Sequence, residues 1–184
     1  AASPAPRPAC ATALPDGKAL TFLIGGARSG KSAHAETMAT ALSPPWTYIA
    51  TAQAYDDEMH ERIALHRSRR GEGWTTLDAP LDVTGALGAL PDHQTVLVDC
   101  LTLWLTNHML AEHDLDLECR RLAAVLSRPR GPWFVVSNEV GQGIVPDNAL
   151  ARRFRDAAGR LNQQVAAVAD TVLLMVAGLP LKVK

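Results

Sequence analysis

The sequence predicts an α/β fold, a mostly parallel sheet flanked by helices on both faces. Three features predict it. Short apolar runs rich in β-branched residues recur along the chain. Segments with helical spacing lie between them, and glycines or prolines punctuate the joins.

The first strand is expected over Ala19–Ile24, an apolar run that ends in glycines. Ser32–Leu42 reads as a helix stopped by Pro44 and Pro45. Trp46–Thr51 is aromatic and β-branched, a second strand. Asp56–Arg70 is a charged helix, capped at its start by Asp56 or Asp57 and closed by Gly71-Glu72-Gly73. Trp74–Leu77 is a short strand. Asp82–Leu90 reads as a helix, weakened by Gly85 and Gly88. Thr95–Cys100 is a buried strand, and Leu101–Met109 and Leu115–Leu126 are helices. Pro129-Arg130-Gly131-Pro132 breaks the pattern before a strand at Trp133–Ser137. Asn148–Ala169 is a long amphipathic helix. Its Leu150, Phe154, Leu161, Val165 and Val168 form the expected core stripe, with Arg152, Arg153 and Arg155 on a solvated face. Thr171–Val176 is a strand, Gly178–Pro180 a turn and Leu181–Val183 an edge strand. No internal repeat and no dividing linker occurs. Residues 1–18, rich in Ala and Pro, read as a flexible tail, and residues 19–184 as one domain.

A length of 184 residues suits one domain with a sizeable core. Hydrophobic residues at 47% and charged residues at 20% make an ordinary globular balance. The formal net charge of −1 supplies no global positive field, so no nucleic-acid partner is expected. The three cysteines are widely spaced with no C-x-x-C pair, against a disulfide framework or zinc site. A reducing cytoplasm follows as the expected location. No apolar run is long enough to span a bilayer, and the first residues lack the apolar core of a signal peptide.

The most specific pattern is Gly25-Gly26-Ala27-Arg28-Ser29-Gly30-Lys31-Ser32, a full match to G-x-x-x-x-G-K-[ST] between an apolar strand and a helix. Backbone amides must turn inward around phosphate oxygens, and glycines allow those dihedrals. The next helix adds free amides and a positive dipole end. Lys31 supplies a charge for the β- and γ-phosphates. Ser32 is placed to hold Mg²⁺, with Asp99 at the end of the TVLVD run as its acidic partner. Asp99 also admits the plainer reading of a helix cap. Glu139, past the Trp133–Ser137 strand, is either a substrate or metal contact or a loop carboxylate facing water.

On the acidic helix, Glu58, Arg62 and His66 share a face at i, i+4 spacing. Arg67, Arg69 and Arg70 follow His66 and suit triphosphate oxygens. A neutral imidazole there is able to attack an α-phosphorus. Taken by itself, the segment is explained more simply by a solvent-facing helix with ordinary ion pairs. His34, His93, His108 and His113 show no partners in the sequence.

Four segments together are more telling: GGARSGKS, YIATAQAYDDEMHERIALHRSRR, VDCLTLWLTN, and SNEVGQGIVPDNALARRFRDAAGRLNQQVAAVAD. From about Leu20 onward the chain resembles the bifunctional adenosylcobinamide kinase / adenosylcobinamide-phosphate guanylyltransferase family of cobalamin biosynthesis. The P-loop is generic, whereas the acidic-helix segment and the NEVGxGIVP run are far more specific. The resemblance implies a RecA-like P-loop NTPase fold and a homotrimer. It implies phosphorylation of adenosylcobinamide from ATP or GTP, then transfer of GMP from GTP to that phosphate through a guanylylated histidine, here His66. It places nucleotide contacts on Gly25–Ser32, on Thr51, Ala52 and Gln53, on Arg67, Ser68, Arg69 and Arg70, and on Asp78 and Asp99. Both aspartates stand where glutamate is frequent in relatives. Another P-loop small-molecule kinase with no covalent step, or a regulatory nucleotide-binding module, is the alternative.

Overall fold

The computed structural model describes residues 17–53 and 71–184. The expected helix at Asp56–Arg70 and nearly all of the expected tail lie outside the described residues. Strands β1 (Ala19–Gly25), β2 (Trp46–Ala50), β3 (Trp74–Asp78), β4 (Thr95–Asp99), β5 (Pro132–Asn138), β6 (Thr171–Val176) and β7 (Leu179–Lys182) form one sheet in the order β3-β2-β4-β5-β1-β6-β7. All neighbours pair in parallel except β6 and β7. Helices α1 (Lys31–Thr40), α2 (Val83–Ala89), α3 (Leu101–Leu110), α4 (Leu115–Leu126) and α5 (Ala149–Val168) connect them.

Successive side chains of a strand point to opposite faces, so each apolar run supplies two cores. Leu20, Phe22, Ile49, Val96, Val98 and Val135 face a core completed by α2, α3, α4 and α5. Leu23, Tyr48, Leu97, Phe134 and Val136 face the other, where Ala35, Met38 and Ala39 of α1 close over them. The helices start where short polar side chains meet free amides. Asp82 accepts from Gly85, Asp114 from Leu117 and Asn148 from Ala151.

The element readings hold with shifted ends and three corrections. The last turn lies one residue earlier than expected. Ala177 and Gly178 both take positive φ, 50° and 80°, the twist that a two-residue hairpin requires, so Leu179 and Pro180 already belong to β7. Pro180 is tolerated because β7 is an edge. Leu150 is 55% exposed rather than core, because it sits in the first turn of α5, beyond the sheet that its stripe covers. Two of the three arginines expected on a solvated face, Arg152 and Arg155, also make further contacts. Arg152 donates to the carbonyls of Pro146 and Asp147, and Arg155 to that of Gly141.

Candidate nucleotide site

The parallel register aligns the strand ends. Gly25 pairs with Asn138 and Met175, and Ala50 with both Asp78 and Asp99. Residues expected to bind nucleotide therefore converge on one carboxyl edge from four separate strands, where open α/β sheets bind ligands.

The loop between β1 and α1 is held from several sides. Gly30 takes φ 92°, a conformation that glycine adopts without steric cost, and it opens α1. A Cβ on Gly25 would lie 2.7 Å from both the Met175 carbonyl and Ser29 Oγ. The turn of the β6–β7 hairpin ties in as well, since Gly178 N donates to Ser29 O at 2.9 Å. Arg28 lies at the exposed crest with φ 54°. Lys31 is only 7% exposed, and its Nζ donates to Gly26 O at 2.6 Å and Ser29 Oγ at 3.4 Å. Burial pushes its ammonium below the ordinary 10.5, while nearby Cys100 and Asp99 act the other way. The lysine folds back over its own loop, inside the field of the carboxylate at the end of β4.

Asp99 Oδ2 accepts the Tyr48 hydroxyl at 2.9 Å. Thr51 is fully buried, and its hydroxyl joins β2 to the end of β4 by donating to Cys100 O at 2.7 Å and accepting from Cys100 N at 2.8 Å. Asn107 of α3 caps this arrangement by donating to both Thr51 O and Pro80 O at 2.8 Å. Thr51 is thus a structural keystone at the start of the Thr51-Ala52-Gln53 segment, while Ala52 and Gln53 are partly exposed. Asp78 ends β3 on the rim of the same edge, exposed. Burial pushes the Cys100 thiol up to about 11, which leaves it protonated and out of nucleophilic chemistry.

Between β4 and the P-loop strand, just past the end of β5, Glu139 N donates to Gly25 O at 2.9 Å. Behind it, Asn138 N donates to Thr102 Oγ1 at 2.8 Å, and buried Asn162 accepts from Ser137 Oγ at 2.7 Å and donates to Asn138 O. A cavity of about 580 Å³ opens between residues 26–29, the Glu139 loop and the end of β6 at residues 174–177. Tyr48, Asn107, Asn162 and the β6 wall were not singled out in the sequence. The only signal for the first two was their place inside the Tyr48–Arg70 and Val98–Asn107 segments. His66, Arg67, Ser68, Arg69 and Arg70 lie outside the described residues.

Among solved structures, the fold is similar to that of a Pyrococcus horikoshii OT3 protein studied as PH0250. The TM-score is 0.56 at 11% identity, covering 93% of this chain and 88% of that one. It is also similar to the RadB recombinase, with TM-score 0.50 at 19% identity over 85% and 73% of the two chains. These likenesses bear out the RecA-like P-loop architecture. By sequence, the chain is 46% identical over 166 residues to the bifunctional adenosylcobalamin biosynthesis protein CobP of Pseudomonas aeruginosa, covering 89% of this chain and 96% of the relative. It is 41% identical over 182 residues to the bifunctional adenosylcobalamin biosynthesis protein CobU of Salmonella typhimurium, covering 90% and 99%. Residues 21–183 match the family described as cobinamide kinase / cobinamide phosphate guanyltransferase. With that match over most of its length and a P-loop at the carboxyl edge of a parallel sheet, the chain belongs to the cobinamide kinase / cobinamide phosphate guanyltransferase family and is a transferase.

Proposed function

We propose that this protein phosphorylates the hydroxyl of adenosylcobinamide from ATP or GTP and then transfers GMP from GTP to the resulting phosphate. The observation that carries this reading is the family match over residues 21–183, on a fold whose Gly25–Ser32 loop stands at a ligand-binding sheet edge. In the first reaction the loop amides and Lys31 hold the triphosphate, and Arg28 screens its outer face. Phosphoryl transfer depends mainly on such positioning and charge neutralisation.

Mg²⁺ fits the residues present. Ser32, in the first turn of α1, and Asp99, at the end of β4, offer hard oxygen donors beside the loop, the ligand type that this ion takes. The Tyr48 hydroxyl fixes the orientation of the Asp99 carboxylate. When bound, the ion draws charge from the β- and γ-phosphate oxygens.

In the second reaction a His66 ring nitrogen attacks the α-phosphorus of GTP. The bond to the bridging α–β oxygen breaks and pyrophosphate leaves, its charge met by Arg67, Arg69 and Arg70. The phosphate of adenosylcobinamide phosphate then attacks the same phosphorus and the nitrogen–phosphorus bond breaks. Ser68, Ala52, Gln53 and Asp78 complete the nucleoside contacts, and buried Thr51 holds the start of that segment in place. Residues 19–184 act as one catalytic domain in a homotrimer. Leu179, Leu181 and Val183, all more than half exposed on or beside the edge strand β7, supply an apolar surface for subunit contact.

Intact-mass and peptide mass spectrometry after incubation with GTP and Mg²⁺ tests the covalent step. A GMP adduct on His66 is expected, absent from His66→Ala, which keeps kinase activity. An adduct on another residue, or an equal one in the variant, removes His66 from the mechanism. No adduct at all favours a kinase without a covalent step.

A further inference from the structure

Among the described residues, the 580 Å³ cavity touches the P-loop but none of those assigned to the nucleoside or the metal. Asp78 and Asp99 end β3 and β4, and Thr51 and Gln53 follow β2, all on one side of the β1–β5 pair. The cavity borders β6, on the other side. A two-substrate transfer needs a second site that reaches the γ-phosphate without overlapping the nucleotide. Space bounded by residues 26–29 and otherwise separate from the nucleotide contacts meets that need.

Its lining narrows the ligand. Val140, Leu174, Met175 and Val176 make apolar walls, and Glu139 is the only ionisable acid among the lining residues. Glu139 is also held in place. Its amide donates to Gly25 O, one Oε accepts from Gly141 N, and Arg155 donates to Gly141 O. Arg28, the one base among the lining residues, belongs to the triphosphate loop, and the fixed carboxylate against the apolar walls suits a neutral aliphatic alcohol whose proton it is able to take. The same loop goes on to Ile144 and Val145, 97% and 64% exposed, where a large apolar body would sit above the trough.

We propose that this cavity is the acceptor subsite of the kinase step, resting on the function proposed above, and that Glu139 is a catalytic residue there. It takes the small alcohol-bearing arm of the acceptor, and the macrocycle stays outside. The alcohol oxygen forms a bond to the γ-phosphorus, and the bond from that phosphorus to the β–γ bridging oxygen breaks. The electron pair leaves with the nucleoside diphosphate. The hydroxyl proton passes to the Glu139 carboxylate and then to solvent. General-base assistance of this kind is worth about 10²–10⁴-fold in rate.

The test is steady-state kinetics with adenosylcobinamide and ATP over pH 5–9, for wild type, Glu139→Gln and Ile144→Ser. Glu139→Gln keeps an oxygen for the Gly141 amide but removes the basicity. It is expected to lower kinase kcat by about 100-fold, with the ATP KM unchanged. Self-guanylylation with GTP is expected to persist. Ile144→Ser is expected to raise the acceptor KM several-fold at unchanged kcat. An unchanged kinase kcat in Glu139→Gln overturns the assignment. So does a raised ATP KM at constant acceptor KM, which would give the cavity to the nucleotide. If wild type fails to phosphorylate adenosylcobinamide at all, the proposed function fails first, and that outcome is visible before any variant is compared.

Discussion

At the scale of single residues, the candidate site depends on close approach. Gly25 leaves no room for a side chain between the Met175 carbonyl and Ser29 Oγ. Gly25→Ala must therefore shift the loop or β6, a clash of the kind that costs about 1–3 kcal/mol. Titration with a fluorescent GTP analogue is expected to show affinity at least tenfold weaker, with the far-UV spectrum of the fold retained. Tyr48 acts more gently. Tyr48→Phe removes the hydroxyl on Asp99 and is expected to raise the Mg²⁺ concentration needed for half-maximal kinase activity, leaving the melting temperature within a few degrees. The P-loop was legible in the sequence because its whole chemistry lies in eight consecutive residues. Tyr48 and Asn107 were not legible as individual contacts. Each meets its partner 51 or 56 residues away in the chain, and only the sheet register brings them together.

At the scale of elements, the strands could be read because parallel strands are buried on both faces and show continuous apolar runs. Helix α4 was read to both of its ends because Asp114 caps it and its apolar positions recur at helical spacing. The start of β7 was misjudged because the positive φ angles of the turn fall on an Ala-Gly pair rather than the more usual Asn-Gly. One pairing between helix ends gave no sequence signal. His108, buried near the end of α3, has its ring nitrogens on Leu81 O at 3.1 Å and on His113 Nδ1 at 2.9 Å. Burial pushes its pKa below the ordinary 6.5, although Leu81 and Glu118 oppose the shift and His113 adds to it. A histidine whose folded pKa is depressed binds its proton more readily when unfolded. Its contribution to stability is thus complete above about pH 6.5 and is lost as pH falls toward the folded value. Urea melts between pH 5 and 7.5 are expected to show falling stability below about pH 6.5, with a shallower fall in His108→Gln. An identical slope in the variant assigns the dependence to other groups.

At the scale of the whole molecule, seven strands bring P-loop, carboxylates and cavity to one edge while the helices cover the faces. The mostly parallel class and the single sheet followed from the alternation of strand and helix signals. The strand order did not, because it depends on which crossovers pack together. The cavity wall at β6 was likewise hidden, since residues 174–177 join the P-loop only through the β1–β6 pairing. Among the described residues, no helix is long and apolar enough to cross a membrane. The proposed trimer predicts a sedimentation mass of three chains, and polar substitution of Leu181 on β7 is expected to lower it. A monomer at micromolar concentration contradicts that arrangement. The two proposed transfers make opposite uses of one triphosphate, so labelled GTP separates them. With Mg²⁺, α-labelled GTP alone should mark the protein, γ-labelled GTP with adenosylcobinamide should mark the corrinoid, and Lys31→Ala should abolish both transfers while remaining folded. Label transfer that survives intact in Lys31→Ala, or the absence of both transfers in the wild-type protein, would contradict a phosphate-holding role for Gly25–Ser32.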